Sequence, residues 1–437
     1  MTESSSIKDC IDKLEQYTNL SHDLFGRPQK MAVAGDYLYW TQGKEQKLYR
    51  VLKDKLDNIA QPVIDDKTTL SNKENAKLTK EEELLRERTR QITSGVSSFR
   101  VRETDHTIFY FIGLDFFIYY TQGPRAHKEP LKVFSYISKE DKARYTDTLA
   151  TEPNLCVQFT EKAPNSGEDP LTTFTFVHQN NLYIGKLTED PANDAAPLAL
   201  SLEQVTHIGD EAHQCGLADY IMQEEFSRYT GHYANEEYII FTYTDSTIMR
   251  QVLLLKGETD DEGLEDDGVE RMAYSRVGDP NTLTTIVVYE RRTRAMRYVP
   301  AKALDALQLD GGVEYIPRFG FKGPAGIYLY LLNRTQEHAV VVSGPIHALP
   351  VIDEAGLQGL YASSGGDPGA DASREIPWTR EWSQQIPWGL GSKWATAIRS
   401  ALARPTTSRP SRRWRARRRT PTSTPGPPGQ ARRTGGR

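Results

Sequence analysis

Short runs of aromatic and β-branched residues, separated by turn signals, recur along this chain and constrain its fold more than any other feature. In FTFVHQNNLYIGKL, Phe174 to Leu187, the side chains of Phe174, Phe176 and His178 alternate with others. Asn180 and Asn181 then offer a turn, and Leu182, Ile184 and Leu187 follow on the return. That is the period-two pattern of a hairpin. DYLYWTQGKEQKLYRVL, EEYIIFTYTDSTIMRQVLLL, LTTIVVYE and GVEYIPRFGFKGPAGIYLYLL continue it, with turn residues every eight to twelve positions from Tyr37 to about Val342. Repeated antiparallel units in a chain of 437 residues predict an all-β body and favour a β-propeller over a single sandwich.

The longest apolar run, IFYFIGLDFFIYY from Ile108 to Tyr120, is too short to cross a bilayer. Gly113 and Asp115 break it, so it reads as two strands and a tight turn. One segment speaks a different language. NKENAKLTKEEELLRERTRQIT, Asn72 to Thr93, consists of strong helix formers with Glu82 four residues ahead of Arg86, and predicts one mostly exposed helix.

Charge is divided unevenly. The formal net charge of −5 conceals twelve arginines and no acidic residue in Thr396–Arg437, so residues 1–395 carry −17. An acidic body does not suit a nucleic-acid binder, whose phosphate contacts need clustered Lys and Arg. Arg, Pro, Ala and Gly supply 27 of those last 42 residues, and five of the six tryptophans lie beyond residue 377. Such a stretch has two readings: a coding frame read wrongly, or a disordered basic tail that binds nucleic acid or an acidic surface. Either way, residues 353–437 are expected to lie outside the folded body, which spans 21–352 after a polar segment at 1–20.

The N-terminus, MTESSSIKDCIDKLEQ, lacks the basic start and apolar core of a signal peptide. Cys10, Cys156 and Cys215 are odd in number and far apart, which provides neither a disulfide framework nor a metal knuckle. A cytoplasmic setting with no membrane attachment is expected. His207, His213 and Cys215 come nearest to a metal cluster, but their spacing matches no recognised ligand set and they read as strand and loop residues. SSGGDPGAD, Ser363 to Asp371, has glycines without the Lys-Ser/Thr of a phosphate loop and reads as linker. No cofactor is expected. No G-x-S-x-G nucleophile elbow occurs in the sequence either.

Three segments share one resemblance. CGLADYIMQEEFSRYTGHY, Cys215 to Tyr233, resembles the double-glutamate motif of the dipeptidyl peptidase IV family, most closely its soluble branch, dipeptidyl peptidases 8 and 9. Upstream, EEELLRERTRQITSGVSSF is similar to that branch's helix carrying a substrate-contacting arginine, and downstream GVEYIPRFGF is similar to one of its strands. The segments keep the family's order, and the resemblance covers roughly residues 20–352.

It implies about half of an eight-bladed propeller with one inserted helix. It also implies that Glu224 and Glu225 grip the α-amino group of a peptide while Arg90 donates to a peptide carbonyl, and that homodimers can form as in the family. The family's α/β-hydrolase domain, which carries the catalytic residues, has no counterpart here, so no catalytic residue is assigned. Two carboxylates can converge on one ligand only from a helical turn or loop, because adjacent residues of a strand face opposite ways. Two function classes stay open: the substrate-recognition region of a dipeptidyl peptidase, and a non-catalytic propeller-derived protein that binds peptide N-termini or a protein partner.

Overall fold

The computed structural model describes residues 28–43, 46–55, 61–64, 95–126, 128–134, 154–160, 170–193, 197–255, 269–361 and 376–385. The chain divides into two units, Met1–Ser392 and Lys393–Arg437, and every described residue lies in the first. The helix expected at 72–93, Arg90 with it, and the segment 1–20 lie outside the described residues.

Among the described residues five antiparallel sheets of four or more strands follow one another along the chain. The first is β1 (Gln29–Ala34), β2 (Tyr37–Gln42), β3 (Lys47–Leu52) and β4 (Gln61–Pro62), and the second is β5 (Val96–Val101), β6 (Ile108–Ile112), β7 (Asp115–Tyr119) and β8 (Leu131–Phe134). The third comprises β9 (Asn154–Phe159), β10 (Thr173–His178), β11 (Asn181–Glu189) and β12 (Leu198–Gln204). Each is a meander, as local pairing of consecutive strands requires.

The fourth sheet is larger. It runs β13 (His213–Cys215), β15 (Tyr238–Asp245), β18 (Leu283–Glu290), β19 (Met296–Tyr298) and β23 (Val351–Ile352), with β14 (His232–Ala234) also on β15. Between β15 and β18 the chain leaves as a separate hairpin, β16 (Gln251–Leu255) and β17 (Val269–Ala273). The fifth sheet is β20 (Tyr315–Phe321), β21 (Gly326–Leu332), β22 (His338–Pro345) and β24 (Thr379–Gln385).

The core is four clusters, and each bridges two consecutive sheets. Tyr39 and Leu48 of the first sheet meet Tyr110 and Phe117 of the second. Phe109 and Phe116 meet Phe174 and Phe176 of the third. Val177 and Leu182 meet Phe241 and Tyr243 of the fourth, and Ile240 and Ile286 meet Leu329 and Val340 of the fifth. Strands β6, β10 and β15 are therefore covered on both faces, which is why they carry near-continuous apolar runs. Sheets stacked face to face in chain order, each a four-stranded meander or an elaboration of one, are the blade arrangement of a β-propeller. The fold is all-β and propeller-like.

Three details differ from the sequence expectation. The turn after His178 is made by Gln179 and Asn180, not Asn180 and Asn181: both have positive φ (47° and 60°), and His178 pairs with Asn181. That is the geometry a two-residue hairpin of matching twist demands. The strands also start earlier than Tyr37, at β1, within the 21–352 body. And residues expected in a structureless tail from 353 onward include a short helix, Glu354–Gly359, and β24, which pairs with β22 along most of its length. The Ile108–Tyr120 hairpin is as expected, turning at Gly113 with φ 60°. Among the described residues no helix is long and apolar enough to cross a membrane.

Candidate functional site

The double glutamate sits on a helix only five residues long, α1 (Tyr220–Glu224), inserted between two strands of the fourth sheet. Asp219 starts it: its extended backbone (φ −66°, ψ 168°) aims the carboxylate back, and Oδ1 accepts from the Met222 amide at 2.8 Å. Oδ2 of the same carboxylate accepts from the Thr282 hydroxyl at 3.1 Å. One turn later Glu225 is still helical (φ −86°, ψ −34°), and its amide donates to the Ile221 carbonyl at 2.9 Å. Ser227 then enters the left-handed region at φ 51° and turns the chain out.

Met222 and Phe226 are buried, whereas Glu224 and Glu225 are exposed. Successive residues of a helix differ by about 100° in direction, so both carboxylates can point to one side while Met222 and Phe226 hold the other. Both glutamates line a cavity of about 1070 Å³. Glu211 and Asp219 add two more carboxylates to its lining, and Arg276 is the one guanidinium among the described lining residues. The electrostatics favour a cation.

Neighbouring elements fix the turn. The Tyr220 ring stacks on Tyr274 with centroids 5.0 Å apart, and its hydroxyl accepts from the Ser275 amide at 3.1 Å. Phe226 packs on Tyr315 at 5.5 Å, and Arg318 of β20 donates to the Phe226 carbonyl at 2.6 Å. Arg228 is 4% exposed; it donates to the Thr230 carbonyl at 2.8 Å and lies 5.2 Å over the Phe319 ring. Burial pulls the Arg228 guanidinium down to about 10. Cys156, on β9, donates to the Tyr229 carbonyl at 3.2 Å, and burial pushes this thiol up to about 12.

The glycine of the Tyr-Thr-Gly turn has its own reason. A Cβ on Gly231 would stand 2.3 Å from the Leu217 carbonyl oxygen, so only glycine lets the two segments flanking α1 close on each other. They do so through the Gly231 amide, which donates to Gly216 at 3.0 Å.

Residues 148–348 match the family model described as the dipeptidyl peptidase IV (DPP IV) N-terminal region. This stretch is a dipeptidyl peptidase IV family N-terminal region. Human dipeptidyl peptidase 8 is 24% identical to the chain over 292 residues, covering 63% of the chain and 30% of that protein. Mouse dipeptidyl peptidase 8 is 24% identical over 293 residues with the same coverage. The chain thus spans 30% of the length of these curated relatives. A solved structure, the dipeptidyl peptidase 4 of Porphyromonas gingivalis, aligns with a TM-score of 0.47 at 14% identity, covering 76% of this chain and 41% of that one.

Within the dipeptidyl peptidase IV N-terminal region, two of the three resembling segments meet in space. GVEYIPRFGF supplies Tyr315 and Arg318, and both hold the loop that follows the glutamates. The third segment, with Arg90, lies outside the described residues. His207, His213 and Cys215 serve three different contacts. The His207 amide donates to Glu354 at 2.8 Å, His213 Nδ1 lies 2.9 Å from Asp210, and Cys215 is buried with its thiol pushed up to about 12. Among the described residues no group of three or more such side chains is arranged to hold a metal. Sequence reasoning missed Asp219 as the helix cap, though an Asp three residues before an inward-facing Met is an N-cap signature. It also missed Arg228 and Arg318, which look like surface residues until their carbonyl partners are known.

Proposed function

We propose that this chain is the part of a dipeptidyl peptidase that recognises the free N-terminus of a peptide, with Glu224 and Glu225 receiving the α-ammonium group. The observation that carries this is the placement of both glutamates, adjacent and exposed, on a capped helical turn at the wall of a large acidic cavity. A primary ammonium has three N–H donors and a full charge. Two carboxylates offer it short charge-assisted hydrogen bonds, each worth about 1.5–3 kcal/mol.

Placed side by side, the two carboxylates repel each other, and a cation between them relieves that repulsion. The site is thereby selective for an amine over an amide. It also measures position, because only the first residue of a peptide carries that amine. The dipeptidyl peptidase names of the relatives agree with this reading; release of dipeptides would require catalytic residues that belong to the family's hydrolase domain.

Isothermal titration of the chain with Gly-Pro-Gly-Gly and its N-acetylated copy tests the proposal. The free amine should bind at least about tenfold more tightly, the equivalent of one charge-assisted hydrogen bond. Glu224→Gln and Glu225→Gln should each erase most of that difference. Equal affinity for both peptides would refute it.

A further inference from the structure

Beneath the double-glutamate turn lies a second, small space of about 10 Å³, lined by Asp219, Met222, Arg228, Thr284, Glu314 and Tyr315 among others. That is about the room one water molecule needs, and too little for a polyatomic ion. Arg228 is a charged side chain more than nine-tenths buried, and its Nε–H has no hydrogen-bond partner. Its terminal Nη1 is already given to the Thr230 carbonyl, and the face of the guanidinium to Phe319. Among the described residues no carboxylate pairs with it directly.

A buried N–H of a charged group left without an acceptor is among the more costly defects a fold can carry. Here Arg228 borders a cavity of water size whose lining also carries the carboxylates of Asp219 and Glu314. Two carboxylates exclude an anion such as chloride, whereas a water can accept from Nε and donate onward. Its acceptor nearest the glutamates is Asp219, the residue that caps α1.

We propose that Arg228 is a positioning residue for the acidic pair, acting through one ordered water held between its Nε–H and the Asp219 and Glu314 carboxylates. The water joins three parts of the fold that no single side chain spans: the cap of α1, the β18 threonine Thr284, and Glu314 at the entry to the fifth sheet. Arg228 touches no peptide in this scheme. It keeps the Asp219 carboxylate aimed at the Met222 amide, and through that bond keeps Glu224 and Glu225 on their turn. The consequence for peptide binding rests on the N-terminus reading; the water itself does not.

A crystal structure of the chain at a resolution that shows ordered solvent should place one water within hydrogen-bond distance of Arg228 Nε and of an Asp219 or Glu314 oxygen. An empty cavity, or Nε bonded directly to protein, overturns the proposal. The second measurement is amide hydrogen exchange at Met222 and Glu225 in the chain and in Arg228→Lys, which keeps the buried charge but has no Nε–H. Exchange at both amides should accelerate by about tenfold, one hydrogen bond's worth, while the melting temperature moves little. Unchanged exchange in Arg228→Lys overturns the positioning role. In calorimetry, Arg228→Lys should narrow the preference for Gly-Pro-Gly-Gly over its acetylated copy. If the unmodified chain binds neither peptide, the N-terminus reading falls, and the water and exchange results still decide this one.

Discussion

Replacing Asp219 by alanine removes the cap of the helix that carries both glutamates. The side chain contributes two hydrogen bonds, one from the Met222 amide at 2.8 Å and one from the Thr282 hydroxyl at 3.1 Å. Loss of an N-cap costs about 1 kcal/mol, and the hydroxyl bond to a half-buried carboxylate adds about 0.5–1 kcal/mol. Asp219→Ala should therefore lower stability by about 1.5–2 kcal/mol. Asp219→Asn keeps an oxygen for the Met222 amide and should lose less than half of that. Urea unfolding followed by circular dichroism gives the two values. Amide exchange at Met222 locates the effect, since this one N–H loses its acceptor in the alanine variant and retains it in the asparagine variant. In the same variants the preference for a free-amine peptide should fall in the order wild type, Asn, Ala, because a frayed α1 no longer presents the two carboxylates together. Equal destabilisation by Asn and Ala, with equal exchange at Met222, would refute the capping account.

Gly231→Ala forces a Cβ to within 2.3 Å of the Leu217 carbonyl oxygen and 2.5 Å of the Thr242 hydroxyl, so thermal unfolding should show a loss of about 2–3 kcal/mol, and an unchanged melting temperature would count against the close approach. Glu189 ties the second sheet to the third: it pairs with Arg102, whose Nη1 is 3.3 Å away, and accepts from the Tyr120 hydroxyl at 2.7 Å. Glu189→Ala removes one carboxylate from the largely buried Arg102, which keeps Asp105 at 3.1 Å, and should cost about 2 kcal/mol, whereas Glu189→Gln, which still accepts from Tyr120, should cost less by the same unfolding assay. Burial of His232 lowers its pKa below the ordinary 6.5, so the unfolded chain binds a proton in a window below pH 6.5 where the folded chain does not. Stability should accordingly fall as pH drops through that window, by at most about 1.4 kcal/mol per pH unit from this group, and melts of His232→Asn should show a shallower dependence.

Much of the strand content was legible because a hairpin is local: residues a few positions apart supply both the pattern and the turn. The run from Ile108 to Tyr120 needed only its apolar period and Gly113. The same locality made the helical turn of Glu224 and Glu225 accessible to reasoning, since two neighbouring carboxylates cannot face one ligand from a strand. What escaped was everything decided at a distance. Strand β24 completes the fifth sheet from beyond residue 375, in a stretch whose composition already resembles the tail, and only its pairing partner β22 reveals it as a strand. Strand β23, two residues long, joins β19 across more than fifty positions and has no periodicity to detect. Gln179 replaced Asn181 in the turn because cross-strand register, not residue preference, decided which two positions took positive φ. Arg228 and Arg318 were illegible for the most physical reason: the Phe319 ring that covers Arg228 and the Phe226 carbonyl that receives Arg318 each come from another element.

The bond from Arg318 to the Phe226 carbonyl joins positions 92 residues apart, one on the loop after the glutamates and the other on the next sheet. No isolated blade therefore contains the site. A fragment cut after β19 would keep both glutamates and their cap, yet it would lose Tyr315 and Gln336 from the cavity wall and the hand that holds the loop from outside. A blade transplanted into another propeller would meet the same fate unless its successor travelled with it. The smallest heritable unit of this glutamate-bearing cavity is a pair of neighbouring blades, and drift in the residues of β20 can retune it through Tyr315 in its wall and Arg318 behind its loop.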